Sequence, residues 1–396
     1  MFKIAALRVC LITFTLLFYG ANSCLADEIT PAQVEQIVKD AILPVMAEYN
    51  VPGMAVAITL RGERHCFYYG LAAKDSGQKV TENTLFEIGS VSKTFTAALA
   101  AWAQERGALS LYDKVSLRLP GLAGSAFDKI SLLELGACTA GGLPLQFPDE
   151  VTSEAQMLAY FKNWRPTYAP GTHRLYSNPS VGLLGYLTAK ALDKPFIELM
   201  EKELFPGLGL CRTYIEVPQN QMGNYACGYS KADRPARVSP GVLDAEAYGI
   251  KATAAEVLHF IEANMHGLKL EASLQRAIDT TQAGYFKRND MTQGLVWEMY
   301  AWPVSLEALV MGNSPRVNLR AAEVVKLDPP RSPQADVLIN KTGSTNGFGA
   351  YVAFVPARRL GIVLLANKNY PTPARVKTAH QILTALEQLP GTTDAH

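Results

Sequence analysis

The sequence carries little excess charge of either sign and contains no long run of lysine or arginine. Among its 396 residues, 37 are basic and 36 are acidic, which leaves a formal net charge of +1. Proteins that bind nucleic acid concentrate basic residues, because contacts with phosphate supply most of the attraction. We therefore expect no nucleic-acid partner and no electrostatic association with a membrane surface.

Metal-binding patterns are also missing from the sequence. The histidines occur singly, without the His-x-His or His-Glu-x-x-His spacing that is typical of zinc sites. No histidine lies near a cysteine in a ligand-like pattern. We therefore expect neither a metal ion nor another cofactor. The histidines are His65, His173, His259, His266, His380 and His396.

No acidic residue precedes Asp27, and the segment before it has the features of an export signal. Lys3 and Arg8 lead into an apolar stretch over 9–18, and small residues follow up to Ala26. This order predicts a secretory signal peptide that is cleaved after Ala26. The apolar stretch is too short to remain as a membrane-spanning anchor.

A lipoprotein signal is the alternative interpretation of the same segment. It would place the lipid on Cys24, but Ala21 and Asn22 fit the usual apolar lead-in poorly. We expect a protein that is exported to the periplasm and has no stable membrane association once the signal is removed.

Cleavage would leave Cys66, Cys138, Cys211 and Cys227, which an oxidising compartment allows to pair. They show no Cys-x-x-Cys spacing, and four scattered cysteines in a long chain are more often small core residues than a disulfide framework. The only pair that we consider for a disulfide is Cys211 with Cys227.

The two ends of the mature chain have similar patterns. Apolar residues at helical spacing over 30–49 are followed by two strand-like runs, 54–60 and 66–69. Near the other end, strands that begin at 341, 350 and 361 precede a helix from Pro373. This arrangement predicts an α+β fold, an antiparallel sheet flanked on one face by the N- and C-terminal helices.

The middle of the chain is rich in helical patterns. Helices are expected over 92–106, 130–137 and 179–191. We predict a sheet domain built from 27–88 and 225–391, an inserted, mainly helical domain over 89–224, and a cleft where they join. Residues 1–26 are the signal peptide and 392–396 a C-terminal tail.

Three short motifs occur in order along the chain: Ser90-Val91-Ser92-Lys93, Tyr176-Ser177-Asn178 and Lys341-Thr342-Gly343. Ser-x-x-Lys alone has little meaning, and it occurs a second time as Ser76-Gly77-Gln78-Lys79. That second copy lies in a glycine-containing turn between strand-like runs, which is typical of a solvated loop.

Ser90 has a different setting, because it stands at the start of a long predicted helix. Positions i and i+3 share one face of a helix, so Lys93 would lie beside the Ser90 hydroxyl. The helix N-terminus favours an anionic oxygen there. A buried lysine near that positive end loses affinity for its proton and can activate a serine nucleophile. The simpler interpretation is an N-cap serine and a solvated lysine.

The second and third motifs supply groups that could complete such a site. Tyr176 has a high reference pKa, so it would serve as a base only if Lys93 and Lys341 lowered that pKa. Asn178 can both donate and accept hydrogen bonds, as a substrate amide requires. The motif at Lys341 begins on a strand that, as an edge strand, would offer backbone groups to a substrate. Structural interpretations of both motifs exist, namely a buried tyrosine in a turn and a glycine-rich hairpin.

Together the three motifs resemble those of the serine β-lactamases and penicillin-binding proteins. Tyr-x-Asn as the second motif, in place of Ser-Asp-Asn, resembles class C rather than class A. The resemblance covers nearly the whole mature chain, and its other segments are 85–93, 141–146, 171–172, 243–250, 291–297, 350–356 and 366–371.

The resemblance implies a β-lactamase/transpeptidase-like fold and a serine hydrolase of β-lactams, with cephalosporins preferred, acting as a monomer without a cofactor. Ser90 would be the acylated nucleophile, Lys93 its proton partner and Tyr176 the candidate base. Lys341 would organise Tyr176 and the substrate carboxylate. The backbone N–H groups of Ser90 and Ser344 would form the oxyanion hole.

The resemblance also implies a set of substrate-binding residues. Gln146 and Asn178 would bind the side-chain amide of the substrate, and Tyr248 would line the side-chain pocket. Asn369 and Arg375 would lie near the substrate carboxylate. The remaining members of the set are Thr342, Gly343 and Ser344.

The sequence departs from the class C pattern at two positions. Cys138 stands where many relatives carry a tyrosine, and Thr372 stands where an asparagine is frequent. A DD-peptidase or serine esterase with the same motifs stays open as an alternative function, since motifs do not fix how fast water attacks the acyl-enzyme. A penicillin sensor that acylates without turnover is the second alternative.

Overall fold

The structure is a computed structural model that describes residues 29–389. The predicted signal peptide with its cleavage site, and the tail 392–396, lie outside the described residues. None of the helices within 29–389 combines the length and the apolar character needed to cross a bilayer.

A ten-stranded antiparallel sheet forms the centre of the fold, in the order β12-β8-β9-β10-β13-β14-β15-β1-β2-β3. Short strands form two small sheets, β4-β7-β6 and β5-β11. The strands are β1 Gly53–Leu60, β2 Glu63–Ala73, β3 Gln78–Lys79, β4 Phe86–Glu87, β5 His173–Arg174, β6 Thr213–Tyr214, β7 Lys251–Ala252, β8 Gly284–Arg288, β9 Met291–Gln293, β10 Glu298–Ala301, β11 Ala322–Glu323, β12 Val325–Arg331, β13 Val337–Ser344, β14 Gly349–Val355 and β15 Leu360–Ala366.

Helices cover both faces of the central sheet and form the rest of the molecule. Short 3₁₀ turns connect several of them, and the turn that matters for the site is Gly89–Val91. The α-helices are α1 Pro31–Glu48, α2 Ser92–Glu105, α3 Val115–Arg118, α4 Leu132–Gly136, α5 Glu154–Asn163, α6 Asn178–Ala191, α7 Phe196–Leu199, α8 Phe205–Gly207, α9 Asp244–Tyr248, α10 Ala254–Asn264, α11 Ala272–Gln282, α12 Leu306–Gly312, α13 Pro315–Asn318 and α14 Thr372–Glu387.

The terminal helices α1 and α14 pack together on one face of the sheet, as the sequence predicts. All residues of β1 are buried, because helices cover both of its faces. Val56 and Ile58 point into the core shared with α1 and α14, whereas Ala55 and Ala57 point into the core on the opposite face. The α+β antiparallel arrangement is therefore confirmed.

Helix α2 lies between the sheet and the helical part of the chain. Its residues Phe95 and Leu99 belong to the core cluster that includes the sheet, whereas Ala97 and Ala100 belong to the cluster of the helical part. The division into two domains stays a prediction, since this one helix contributes to both cores.

Capping explains where the observed helices differ from the predicted ones. Helix α4 begins at Leu132 rather than at 130, because Ser131 is its N-cap and forms a capping box with Glu134. The four cysteines are free, so the disulfide considered between Cys211 and Cys227 is not formed. Of these, Cys138 is buried and Cys211 is exposed.

Candidate active site

Ser90 lies in the 3₁₀ turn that runs directly into α2, and Lys93 follows one turn later. The Lys93 side chain is completely buried. Its Nζ donates to Ser90 Oγ at 3.0 Å and to the Ala247 carbonyl at 2.7 Å. The helical spacing of the first motif therefore produces the contact that it predicts.

Burial lowers the pKa of Lys93 well below its usual value, and the nearby positive charge of Lys341 lowers this pKa further. Within residues 29–389, the hydrogen-bond partners of Lys93 are neutral oxygens. A neutral amine that donates to Ala247 still has a lone pair for the Ser90 proton. Lys93 is therefore suited to act as the base.

Tyr176 lies between β5 and α6, and both lysines approach its ring. Lys341 Nζ is 4.9 Å from the ring centroid and donates to the phenol oxygen at 3.4 Å, while Lys93 Nζ is 5.3 Å from the centroid. Burial nevertheless raises the pKa of Tyr176, and a hydrogen bond from Ser90 opposes this effect only in part. The condition for Tyr176 to serve as a base, a phenol pKa lowered by Lys93 and Lys341, is therefore not met, because desolvation is the largest effect on this pKa.

Lys341 is buried on β13, beside the buried ion pair of Arg174 and Glu298. Burial lowers the pKa of Lys341 to about 8, the negative charge of Glu298 opposes this shift, and Arg174 adds to it. Arg174 Nη2 donates to Glu298 Oε1 at 2.5 Å, and Arg174 Nε donates to Gln293 at 2.7 Å. The strand therefore presents a lysine that is protonated at neutral pH.

The end of β13 lies directly against the Ser90 turn. Strand β10 pairs with β13 only as far as Asn340. From Lys341 onward, the edge of β13 on that side therefore has no hydrogen bonds to β10. A Cβ on Gly343 would lie 2.0 Å from the Ile88 carbonyl, and a Cβ on Gly89 would lie 2.5 Å from Ser344 N. Two glycines thus permit the close backbone contact between the end of β13 and the Ser90 turn.

A cavity of about 300 Å³ opens over these groups. Six of the predicted site residues line it, and the Oδ1 atom of one of them, Asn178, is buried without a hydrogen-bond partner among the described residues. Such an atom can accept a hydrogen bond from a ligand amide. The predicted residues on the lining are Ser90, Gln146, Asn178, Tyr248, Ser344 and Asn369.

Three predicted binding residues do not line this cavity. The Thr342 carbonyl accepts from Lys341 Nζ at 2.9 Å, and Gly343 packs on the backbone before Ser90. Arg375 is fully buried on α14, where its guanidinium donates to protein oxygens. These residues support the wall of the cleft from the side that faces away from the cavity.

Sequence reasoning missed four residues that line the cavity and one oxygen that holds the lysine. Thr345 and Asn346 directly follow the third motif, so their position at the strand end was an available signal. Val238 and Ser239 come from a loop without any local motif. The Ala247 carbonyl is 154 residues from Lys93 along the chain, so no spacing rule could have found it.

No group of three or more His, Cys, Asp or Glu side chains within 29–389 is arranged to hold a metal ion. The donors around Ser90 are lysine, tyrosine and amide groups, which suit acyl transfer to an activated serine.

Comparison with known proteins places this geometry in a family. The profile of the family described as Beta-lactamase matches residues 38–387. A beta-lactamase of Pseudomonas fluorescens is 54% identical over 90% of this chain and 99% of its own length. A beta-lactamase of Escherichia coli K12 is 44% identical over 90% of this chain and 95% of its own length.

Solved structures give the same result. A crystal structure of a class C beta-lactamase is 48% identical and has a TM-score of 0.88, over 91% of this chain and 99% of that one. A structure named beta-lactamase/D-alanine carboxypeptidase, from Pseudomonas syringae, is 47% identical and has a TM-score of 0.87, over 89% of this chain and 98% of that one. The chain therefore belongs to the beta-lactamase family, and its fold is that of the class C enzymes.

Proposed function

We propose that this enzyme hydrolyses β-lactam antibiotics, cephalosporins preferentially, through an acyl-enzyme on Ser90. The observation that carries the proposal is the 3.0 Å contact between Ser90 Oγ and a fully buried Lys93, at the floor of an open cleft. A serine becomes a nucleophile when a neighbouring base takes its proton, and a desolvated lysine is such a base.

In acylation, Lys93 accepts the Ser90 proton as Oγ attacks the β-lactam carbonyl carbon. The negative charge that develops on the carbonyl oxygen is stabilised by the N–H groups of Ser90 and Ser344. The ring C–N bond then breaks, and its nitrogen receives a proton through the phenol of Tyr176, which is replenished from Lys93. Lys341 donates to Tyr176 and keeps this relay in place.

In deacylation, a water molecule attacks the ester carbonyl from the cleft. Tyr176 and Lys93 accept the water proton and return one to Ser90 Oγ as the C–O bond breaks. The high pKa of Tyr176 means that its phenol relays protons rather than storing a negative charge. One water molecule is thus consumed, the ring-opened product leaves, and the free enzyme with its Ser90 hydroxyl is restored.

Substrate binding uses both sides of the cleft. Gln146 and Asn178 bind the side-chain amide, with the unpaired Oδ1 of Asn178 accepting its N–H. Tyr248 lines the side-chain pocket. The charge of Lys341 attracts the substrate carboxylate, whose surroundings include Asn369 and the strand segment Thr342, Gly343 and Ser344.

The test mixes the mature protein with a chromogenic cephalosporin and follows absorbance and intact mass together. We expect sustained turnover in the wild type, and loss of both turnover and covalent labelling in Ser90→Ala. The matched control is Ser76→Ala, which alters the other Ser-x-x-Lys copy, in the turn after β2, and should turn over at the wild-type rate. Retained turnover in Ser90→Ala would remove Ser90 as the nucleophile.

A second candidate activity is cleavage of D-alanyl peptides, because two related structures are named D-alanine carboxypeptidase. The same serine and oxyanion hole would serve a peptide carbonyl. A single burst with a persistent acyl adduct on the cephalosporin, together with release of D-alanine from a D-alanyl-D-alanine peptide, would favour this activity. A persistent adduct without peptide cleavage would indicate a sensor.

We also infer that the protein acts as a monomer in the periplasm, after cleavage of the signal following Ala26. The mass of the protein recovered from a periplasmic extract tests the cleavage site, since the mature chain should begin at Asp27. Sedimentation of that material tests the oligomeric state.

A further inference from the structure

Arg375 is a buried cation on the far side of the strand that carries Ser344. It lies in the first turn of α14 and is fully inaccessible to solvent. A Cβ on Gly349 of β14 would lie 2.6 Å from its Cζ atom, so the guanidinium fits only because this position is glycine. The glycine in β14 therefore provides the space for a positive charge on the side of the strand opposite the cleft.

The guanidinium is surrounded by neutral acceptors. Its Nη1 donates to the Gly343 carbonyl at 2.6 Å and to Ser344 Oγ at 2.8 Å. Its Nη2 donates to Asn369 Oδ1 at 2.8 Å and to the Tyr370 carbonyl. Within the described residues, Arg375 has no hydrogen bond or ion pair with a carboxylate.

The charge persists in the folded protein. Burial lowers the pKa of Arg375 to about 10, which still leaves the guanidinium protonated at neutral pH. A buried charge without a counter-charge is costly, and such groups are usually paired. Because Arg375 lacks such a partner, we expect a role in which its positive charge acts on a neighbouring group.

The Gly343 carbonyl and the Ser344 N–H are the two ends of one peptide group. In a trans peptide these two bonds point in opposite directions, so a group that binds the carbonyl lies on the side opposite the N–H. Arg375 occupies the carbonyl side, so the Ser344 N–H points away from the guanidinium. A hydrogen bond to the oxygen polarises the amide and strengthens its N–H as a donor.

We propose that Arg375 is a positioning residue that acts through the Gly343–Ser344 peptide, by orienting and polarising the N–H that receives the oxyanion. The inference rests on the proposed acylation of Ser90. The charge acts in a water-poor site on an oxygen that becomes negative only in the transition state, so it favours the transition state over the bound substrate.

This role differs from direct recognition of the substrate carboxylate. A residue that binds the carboxylate stabilises the ground state, so its loss weakens substrate binding before any chemistry occurs. Arg375 is buried and already donates to four protein oxygens. Its loss should therefore change the acylation step and leave ground-state binding nearly unaltered.

The experiment compares Arg375→Met with Arg375→Lys, which retains a charge and serves if the methionine variant folds poorly. Three quantities are measured: the acylation rate, the carbonyl stretching frequency of the acyl-enzyme, and the Kd of a cephalosporin for each variant in a Ser90→Ala background. In Arg375→Met we expect acylation to slow by about tenfold, less than the roughly 100-fold or more for loss of a whole oxyanion donor. The carbonyl frequency should rise, while the Kd should stay within about twofold.

Arg375→Lys should lie between the wild type and Arg375→Met in both rate and frequency. Leu383→Ala is the matched control, because it removes a fully buried side chain from the same helix about two turns beyond Arg375. It should lower the Tm without changing the acylation rate per folded molecule or the carbonyl frequency.

An unchanged rate and frequency in Arg375→Met would overturn the inference. A rise in Kd large enough to account for the whole decrease in acylation rate would also overturn it, since Arg375 would then contact the substrate. Failure of the wild type to form an adduct on Ser90 would overturn the proposed function, and the inference with it. If the wild type is acylated on Ser90 and the Arg375 variants are acylated at the same rate, the inference is overturned and the proposed function stands.

Discussion

The two walls of the cleft handle buried positive charge in different ways. On the helix side, Lys93 is completely buried, and its hydrogen-bond partners within 29–389 are neutral oxygens of Ser90 and Ala247. On the strand side, Lys341 is also buried, but it lies within the field of the Arg174–Glu298 ion pair. The same side-chain type is thus placed in two electrostatic settings about one phenol.

The settings shift the pKa values of the two lysines by different causes. Burial and the charge of Lys341 hold the pKa of Lys93 well below its usual value. Burial lowers the pKa of Lys341 only to about 8, since Glu298 opposes the shift. Paired titratable groups whose surroundings separate their pKa values commonly divide acid and base roles. This separation supports the proposal that Lys93 accepts the proton while Lys341 is mainly charged at neutral pH.

Removing the positive charge of Lys341 should have the largest effect on this difference between the two walls. Lys341→Met should lower kcat/KM by about 100-fold, because it removes the cation that holds Tyr176 and attracts the substrate carboxylate. It should also raise the pKa of Lys93, since one of the two causes that lower it is gone. The acid limb of the acylation rate, measured by stopped flow against pH, should move to higher pH.

Lys341→Arg is the control for this change. It keeps a positive charge on β13, so the acid limb should stay close to its wild-type position even if the rate falls. An acid limb that does not move in Lys341→Met would mean that burial alone sets the pKa of Lys93, and the coupling between the two walls would be refuted.

A smaller change acts on the ion pair behind Lys341. Glu298→Gln keeps the shape and removes the negative charge that raises the pKa of Lys341, so this pKa should fall below about 8. The basic limb of kcat/KM should then move to lower pH, and kcat/KM at alkaline pH should fall by up to about tenfold, because the charged fraction of Lys341 decreases there. A pH profile of kcat/KM across the neutral and alkaline range measures the displacement.

The double variant Arg174→Gln/Glu298→Gln provides the matched control. Arg174 lowers the pKa of Lys341 and Glu298 raises it, so removing both should return the basic limb toward its wild-type position. A double variant whose basic limb remains displaced would show that the displacement came from altered packing. Thermal unfolding of the three proteins separates this electrostatic effect from the cost of leaving Arg174 unpaired.

The two walls also differ in how far the sequence alone could describe them. Ser90 and Lys93 were predicted as neighbours because helical spacing is a local rule. The motif at Lys341 was predicted as a strand, but the place where β10 stops pairing at Asn340 depends on a segment about 40 residues away that no pattern identifies. Sheet order and the free edge beside Ser90 are properties of the assembled fold.

Electrostatic properties were harder to predict than positions. The sequence suggested that Lys93 loses proton affinity on burial, and its pKa is indeed lowered. For Tyr176 the sequence supplied only a condition, a pKa lowered by the two lysines, and burial raises that pKa instead. Proximity of charges follows from the motifs, whereas desolvation depends on every atom that packs around the group. Arg375 shows the same limit, since its burial depends on a glycine in a neighbouring strand.

The smallest predicted effect concerns Glu246, which lies on α9 next to the carbonyl that holds Lys93. Burial raises the pKa of Glu246 to about 7 from the usual 4.5, and Asp244 adds to the shift. The folded protein therefore retains a proton that the unfolded chain has lost between these two pH values. Stability that is present below about pH 4.5 is lost as pH rises toward 7, and it does not return above that.

Glu246→Gln should remove this dependence, because an amide is neutral at every pH. The Tm of the variant should match the wild type at about pH 4.5 and exceed it by about 2–5 °C at about pH 8, as measured by calorimetry. Turnover should change by less than about twofold, since the amide leaves the Ala247 carbonyl in place. A wild type that is the more stable protein at alkaline pH would mean that Glu246 is ionised and acts as a counter-charge for Lys93. The helix-side wall would then resemble the strand-side wall, and Lys93 would lose the neutrality on which its role as base depends.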